Sequence, residues 1–402
     1  MRGLSGDLFV SHTQAGIERA AAYCEALSRT FNVVVANPPY MGSSSFNPFM
    51  SKWMKKNYPD SCKDLCTAFI ERQLSLTKIG GMASLVTSDT CMYLSSFEDL
   101  RNKIIDNNTI VSLIDTRGSN AHPDVFDANA GWVLRHGHSN NFSGSYFKLN
   151  QKIGEKGAAL AEAIQNPDCG WFYRADASTF HDIPGSPIAY WASTELLGAF
   201  KRGYSIESES DYTGSPNITG DNDLYLRFHW ECSRSKLGYP NKWVPYSKGG
   251  NFRKWYGNIF HVVDWSPEAR RFYLENKTST LLPEPYWYKG GITYTMLTSG
   301  VPCFRKMPEG GVFDKSGPVI CQLEANENKW MGFLNSIVSS IMINMLNPTM
   351  NLQVKDVKAL PMIEPTNQVD RIDTIVNSNI NLSKEDWDTQ ETSWDFKRSP
   401  LV

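Results

Sequence analysis

The chain has 402 residues, of which 41% are hydrophobic and 20% are charged. This length allows two or three domains with cores of their own, and it excludes a peptide or a small disulfide-stapled scaffold. Forty Lys and Arg residues against 42 Asp and Glu residues leave a formal net charge of −2. A polyanionic partner would therefore have to be bound by a local basic patch.

The eight cysteines are scattered and form neither a CxxC pair nor a Cys/His cluster with zinc-site spacing. Cys62 and Cys66 lie four residues apart without a neighbouring histidine, so we expect them to be buried rather than to bind a metal. No apolar segment has the length of a membrane span or the pattern of a secretion signal. These features favour a reduced, cytoplasmic location with no membrane partner.

The first third of the sequence alternates between strand and helix patterns. Residues 32–36 (NVVVA) predict a buried strand that ends at a double proline. Residues 64–79 predict a helix stopped by Gly80 and Gly81, and residues 82–86 predict the next strand. Ser95 and Glu98 have the spacing of a capping box for a helix that ends near residue 107.

A third strand is predicted at residues 110–114. Alternating strands and helices are typical of an α/β fold with a largely parallel, doubly wound sheet. We therefore assign residues 1–148 to an α/β domain. An incomplete sheet in this domain would leave an unpaired edge and an exposed apolar face.

From about residue 150 the sequence becomes aromatic and is interrupted by Gly and Pro, which predicts a separate mixed α+β domain over residues 149–345. Between residues 227 and 306 there are thirteen Lys and Arg residues but only five Asp and Glu residues. Residues 330–346 predict one apolar helix that stops at Asn347 and Pro348. Residues 346–402 are predicted to form a helical, acidic C-terminal segment.

The tetrapeptide Asn37-Pro38-Pro39-Tyr40 directly follows the first predicted strand, where open α/β sheets bind their ligands. The Asn37 side-chain oxygen and the Pro38 carbonyl are acceptors for the two hydrogens of an exocyclic amino group. Tyr40 offers a flat face on which a planar base can stack. The alternative interpretation is an ordinary Asn-Pro turn after a strand.

The tetrapeptide resembles the catalytic motif of methyltransferases that modify amino groups with S-adenosylmethionine. Five blocks in order resemble the adenine-specific DNA methyltransferases of BREX phage-defence systems, the PglX family. These blocks are NPPYMGSSSFNPFMSKWMKKNYPDSCKDLCTAFIERQL, SSFEDLRNKII, WVPYSKGGNFRKWYGNIF, LNPTMNLQVKDVKALP and DWDTQETSWDF.

The resemblance implies a Rossmann-like catalytic domain over residues 1–148 and a target-recognition domain over 149–345. It also implies an enzyme of the restriction-modification type that flips an adenine out of double-stranded DNA and methylates N6 with S-adenosylmethionine. Asn37, Pro38, Pro39 and Tyr40 would be the catalytic and base-binding residues. Other proteins of the defence system are further expected partners.

The family carries a Gly-rich cofactor loop well upstream of this motif, whereas only 36 residues precede Asn37, and Gly3, Gly6 and Gly16 do not form such a loop. We therefore expect the chain to correspond to a part of a longer family member, and no cofactor-binding residue is assigned. No metal site is predicted.

Two segments interleave cations with aromatic residues, as a DNA-facing surface does. The first contains Lys248, Arg253, Lys254 and Trp255, for which a solvated basic loop beside a small aromatic core is the alternative. The second contains Lys52 and Lys55, with Lys56 and Trp53, and a plain charged helix face is equally compatible with it.

Two other functions remain open from the sequence. One is a DNA-recognition remnant or subunit without catalysis. The other is a methyltransferase with the same motif that acts on protein glutamine or on RNA, although the long aromatic and basic second region favours extended duplex DNA.

Overall fold

The computed structural model describes residues 4–116, 129–150, 156–210, 212–214, 217–298, 300–321, 323, 326–364 and 368–400. The chain divides into two compact units, Met1–Ala192 and Ser193–Val402. No helix among these described residues is both long enough and apolar enough to cross a membrane.

The described residues of the first unit form a six-stranded sheet and five α-helices. The strands are β1 (Phe31–Ala36), β2 (Thr77–Ser88), β3 (Asn108–Asp115), β4 (Asn129–His136), β5 (Ser143–Lys148) and β6 (Phe172–Asp176). The helices are α1 (Leu4–Ser28), α2 (Pro48–Asn57), α3 (Leu65–Leu76), α4 (Glu98–Asn107) and α5 (Lys156–Gln165). The main core lies between the central strands and α4, and Trp132 and Leu113 are among its buried side chains.

The strand order in this sheet is β1-β2-β4-β3-β5-β6. The pairs β1–β2 and β3–β5 are parallel, and the other three pairs are antiparallel. The α/β class is therefore confirmed, but the sheet is mixed rather than largely parallel. The difference arises because β4 lies between β2 and β3 and runs against both, and because β6 runs against β5.

Strand β1 confirms the strand predicted at residues 32–36, but it is not buried. Val33 is 61% exposed and Val35 is 71% exposed. Among the described residues β1 pairs only with β2 and forms an edge of the sheet, and the face that carries Val33 and Val35 is open to solvent. The expectation of an unpaired edge with exposed apolar side chains is confirmed.

The helix predicted over residues 64–79 is α3, and it ends earlier, at Leu76. The two glycines predicted to stop it lie inside β2 instead. The pairing with β1 jumps from Phe31 opposite Thr77 to Val33 opposite Met82, so the intervening residues of β2 form a bulge. A Cβ atom at Gly81 would lie 2.7 Å from the Asn32 carbonyl oxygen, and this close approach explains the glycine.

The helix expected to end near residue 107 is α4, but the predicted capping box is absent. Ser95 begins a short 3-10 turn (Ser95–Phe97), and the residue before α4 is Phe97, whose side chain makes no cap hydrogen bond. The strand predicted at residues 110–114 is confirmed as β3.

The first unit extends to residue 192 and not to 148, where we placed the end of the first domain. Strand β6 pairs with β5, which keeps residues 172–176 in the first sheet. The buried Arg101 side chain donates hydrogen bonds to the carbonyls of Gly185 and Ser186. The Ile188 amide also donates to the Met92 carbonyl at 2.8 Å. Pairings between segments distant in sequence therefore decide this boundary.

The second unit is mixed α+β, as predicted for the aromatic region. Its strands are β7 (Tyr204–Ser205), β8 (Tyr212–Gly214), β9 (Leu226–Phe228), β10 (Trp243–Ser247), β11 (His261–Asp264), β12 (Gly291–Tyr294), β13 (Phe304–Met307), β14 (Val312–Phe313), β15 (Val319–Cys321) and β16 (Pro361–Met362). Its helices are α6 (Thr194–Arg202), α7 (Ile206–Glu209), α8 (Asn222–Tyr225), α9 (Pro267–Glu275), α10 (Glu327–Leu334), α11 (Ile337–Leu346), α12 (Val354–Lys358) and α13 (Val369–Asp388).

Two four-stranded sheets organise this unit, in the orders β14-β10-β11-β9 and β13-β12-β15-β8. The single helix predicted over residues 330–346 is wrong in one respect, because α10 and α11 are separate helices. The Asn335 side chain between them exchanges hydrogen bonds of 3.1 Å with the backbone of Phe304, and Ser336 caps α11. The predicted stop after Leu346 is confirmed.

Candidate functional site

The tetrapeptide from Asn37 to Tyr40 directly follows β1 at the carboxyl end of that strand. Asn37 is exposed, and its side chain makes no hydrogen bond to another described residue. Pro38 is buried, whereas Tyr40 is 38% exposed. The buried proline holds the loop against the protein, which leaves an amide group and an aromatic ring available to a ligand.

Backbone pairing fixes the chain just after this loop. The Leu65 amide donates to the Met41 carbonyl at 2.9 Å, and the Ser43 amide donates to the Lys63 carbonyl at 2.8 Å. The Asp64 carboxylate accepts from the Met41 amide at 3.4 Å and from the Cys66 amide at 3.0 Å. Asp64 therefore caps α3 and ties the tetrapeptide to the start of that helix.

Burial raises the pKa of the Tyr40 phenol, and the neighbouring Cys66 and Asp64 raise it further. The phenol is already neutral at physiological pH at its ordinary pKa, and this shift keeps it so. Burial also raises the pKa of the Cys66 thiol. Cys62 and Cys66 are both buried, as expected, and the Cys62 thiol donates to the Pro59 carbonyl at 3.3 Å.

Lys52 and Lys55 lie on α2, which begins eight residues after Tyr40, and both side chains are exposed. Lys56 is exposed on the same helix. One of the two predicted basic segments thus lies in the same unit as the tetrapeptide and follows it closely in sequence. Sequence reasoning missed Phe49 on this helix, which is 79% exposed.

The basic side chains of the other segment contact residues within the second unit. Lys248 forms an ion pair with Asp314 at 2.9 Å, and the Lys254 amine donates to the Asn335 carbonyl at 2.8 Å. Arg253 pairs with Asp386 at 2.9 Å and lies over the Trp387 ring.

Trp255 is half-buried at a positive φ of 73°, and its amide donates to the Phe304 carbonyl. DNA contact by these four residues stays a prediction. Phosphates would have to compete with carboxylates for Lys248 and Arg253.

Comparison with known proteins identifies sequences that are similar to nearly the whole chain. The Eco57I restriction-modification methylase family matches residues 9–122. The adenine-specific methyltransferase PglX of Lacticaseibacillus casei is 33% identical over 94% of this chain, and BrxX of Escherichia coli is 30% identical over 94%. The chain is similar to the PglX-type adenine-specific methyltransferases over nearly its whole length. The predicted resemblance is thereby confirmed.

The chain spans about a third of the length of these curated relatives, 33% of PglX and 31% of BrxX. In fold it is similar to the type IIL restriction-modification enzyme MmeI, with a TM-score of 0.57 at 11% identity. That match covers 90% of this chain and 50% of MmeI, whose structure was solved in complex with DNA.

The residues described here do not fit S-adenosylmethionine, the cofactor that the PglX resemblance implies. In the family that the chain resembles, a Gly-rich loop after a strand presents backbone amides to this cofactor. In the described part of the first unit, β1 has no neighbour on its outer side from which such a loop could begin. Gly80 and Gly81 are within β2, and Gly42 lies in the bridge to Asp64. No step is therefore derived through the cofactor.

Proposed function

We propose that this chain is the adenine-binding and DNA-reading part of an N6-adenine DNA methyltransferase of the phage-defence type. S-adenosylmethionine would be the methyl donor of the whole enzyme, and double-stranded DNA in the cytoplasm its substrate. The observation that carries the proposal is the exposed Asn37 amide beside the half-exposed Tyr40 ring at the end of β1. The names and the extent of similarity of the PglX-type relatives support it.

The proposed role of the site is to hold an extrahelical adenine and orient its amino group. The two N6 hydrogens donate to the Asn37 side-chain oxygen and to the Pro38 carbonyl. Bonding both hydrogens in this way directs the nitrogen lone pair out of the base plane. Tyr40 stacks on the base and offsets part of the cost of unstacking it, a few kcal/mol. Positioning of this kind requires no general base with a shifted pKa.

The second candidate is a role in DNA recognition without catalysis. It is favoured because the described residues do not fit the cofactor. Both roles require the adenine site, so binding of the base is the property to test. Competition by single-stranded RNA and by glutamine peptides against duplex DNA tests the remaining substrate classes.

The test uses duplexes that carry one unpaired base opposite an abasic site, because such a base costs little to extrude. The chain should bind a duplex with unpaired adenine about tenfold more tightly than duplexes with unpaired cytosine, guanine or thymine. Asn37→Ala should abolish this preference while thermal unfolding is unchanged, because the side chain is exposed and makes no internal hydrogen bond. Fluorescence anisotropy titration measures the affinity of the unmodified chain and of Asn37→Ala for each duplex.

Asn32→Ala, which changes another exposed asparagine close to the same loop, is the matched control. Equal binding of all four unpaired bases by the unmodified chain would contradict the assignment of Asn37 and Tyr40. Retention of the preference in Asn37→Ala would contradict the role of the amide.

A further inference from the structure

The outward face of α2 combines exposed aromatic rings with lysines. Phe49 is 79% exposed and Trp53 is 46% exposed, and they lie one helical turn apart. Lys52 and Lys56 have the same spacing and are exposed as well. At 3.6 residues per turn these four side chains fall within an arc of about 100°. They therefore form a single aromatic and basic face.

The opposite face of α2 anchors the helix. Met54 is buried against Cys62 and Ala68, and Met50 and Tyr58 pack at the edge of this cluster. The helix has its own caps as well, since the Asn47 side chain accepts from the Met50 amide at 2.8 Å. Phe49 contributes little to this core, so its exposure has no explanation in the folding of the unit.

The charge of this face is positive and uncompensated among the described residues. Helix α2 contains no acidic residue. The nearby carboxylates of Asp60 and Glu71 both form ion pairs with Lys103. Lys52 and Lys56 are thus available to the phosphates of a nucleic acid.

The position of α2 relative to the adenine site is set by the backbone. The helix begins eight residues after Tyr40, and the bridge between Gly42 and Asp64 ties the intervening loop to the start of α3. The aromatic face is therefore held within a short, fixed stretch of chain from the proposed base-binding loop.

We propose that the outward face of α2 binds duplex DNA beside the extruded adenine. Phe49 and Trp53 stack on the bases that the adenine leaves unstacked, and Lys52 and Lys56 bind flanking phosphates. The assignment rests on the proposed function, because it takes the extrahelical adenine as given. It adds two stacking residues and two phosphate contacts to the proposed base-binding loop.

The experiment measures binding of the full chain to the duplex with unpaired adenine, as a function of salt. Phe49→Ala and Trp53→Ala should each weaken binding about tenfold with the salt dependence unchanged, because stacking releases no counterions. Trp53→Phe should retain most of the affinity. The double variant Lys52→Ala/Lys56→Ala should lower the slope of log K against log salt by about 2 while the preference for adenine is kept.

Leu274→Ala is the control for loss of an exposed apolar side chain, since Leu274 is 70% exposed on α9 of the other unit. Unchanged affinity in both aromatic variants, with the adenine preference still abolished by Asn37→Ala, would overturn this proposal and leave the proposed function standing. If the unmodified chain shows no adenine preference, the proposed function fails instead. Tighter binding of single-stranded RNA, weakened equally by the same variants, would overturn the assignment to duplex DNA.

Discussion

Single buried side chains hold segments of this protein together that are far apart in sequence. Arg101 is 1% exposed and donates to the carbonyls of Cys91 and Leu94 as well as to Gly185 and Ser186. Burial lowers the pKa of its guanidinium to about 10, so the group stays charged at neutral pH. The planar guanidinium on α4 thus donates several hydrogen bonds at once, and some of them reach the last segment of the first unit.

Arg101→Lys should lower the free energy of unfolding by about 3 kcal/mol, because an ammonium group cannot satisfy carbonyls on two sides and leaves some of them buried without a donor. Urea denaturation followed by circular dichroism measures the change. The exposed Arg202→Lys serves as the control and should change stability by less than about 0.5 kcal/mol. A similarly small effect at Arg101 would show that the bonds can be replaced.

His229 is buried and stacks on Trp394 with ring centroids 4.4 Å apart. Its Nε2 lies 2.9 Å from the Thr392 carbonyl, to which it donates. Burial lowers the pKa of this imidazole, and Arg234 lowers it further, although the carbonyl acts in the opposite direction.

Because the folded state disfavours the protonated ring, the stability contributed by neutral His229 is present above the unfolded pKa and is lost as pH falls below about 6.5. His229→Gln should therefore reduce the loss of thermal stability between pH 7.5 and pH 5.5. His12→Gln, at an exposed position of α1, should leave this loss unchanged. An identical pH dependence in the chain and in His229→Gln would exclude this histidine as its source.

At the scale of elements, the exposed edge of the first sheet is the feature with the clearest consequence. In the part of the chain that the structure describes, no strand pairs with the outer side of β1, and Val33 and Val35 on this strand are exposed. An open edge of this kind favours pairing with another strand. The bulge at Gly80 and Gly81 lies in β2, on the paired side, so it does not block this edge.

The double substitution Val33→Lys/Val35→Lys should reduce self-association of the chain at high concentration, since lysines on an edge strand oppose strand addition. Sedimentation velocity over a range of concentrations measures it. Ile164→Lys, at a 67% exposed position on α5, is the control for added charge alone. Equal self-association of the double variant and the unmodified chain would place the contact elsewhere.

The chain spans about a third of the length of its curated relatives. The described residues include the proposed adenine-binding loop, whereas they do not fit the cofactor. The chain's net charge of −2 also means that DNA binding must come from local patches rather than from a general attraction.

Calorimetric titration of the chain with S-adenosylmethionine should therefore show no micromolar binding, either alone or with duplex DNA present. The same preparation should bind DNA, which shows that it is folded and active in recognition. Micromolar binding of the cofactor, with transfer of a labelled methyl group to adenine, would mean that residues outside the arrangement described above form the cofactor site.

Much of the local structure could be predicted from the sequence alone. Short β-branched runs predicted β1 and β3 and helical spacing predicted α3, because backbone preferences and side-chain periodicity act over a few residues. The motif at Asn37 and the blocks around it likewise indicated the PglX-type relationship. Burial of Cys62 and Cys66 followed from the lack of further metal ligands nearby.

Only the tertiary structure decided which strands are neighbours, and this pairing changed the interpretation of several residues. β4 lies between β2 and β3 and makes the sheet mixed, whereas β1 lies at an edge and is exposed. Lys248 and Arg253 pair with Asp314 and Asp386, which lie 66 and 133 residues away. Such contacts depend on how distant segments pack, and no local sequence pattern encodes them. The exposure of Phe49 on α2 also depends on this packing, so it became evident only in the structure.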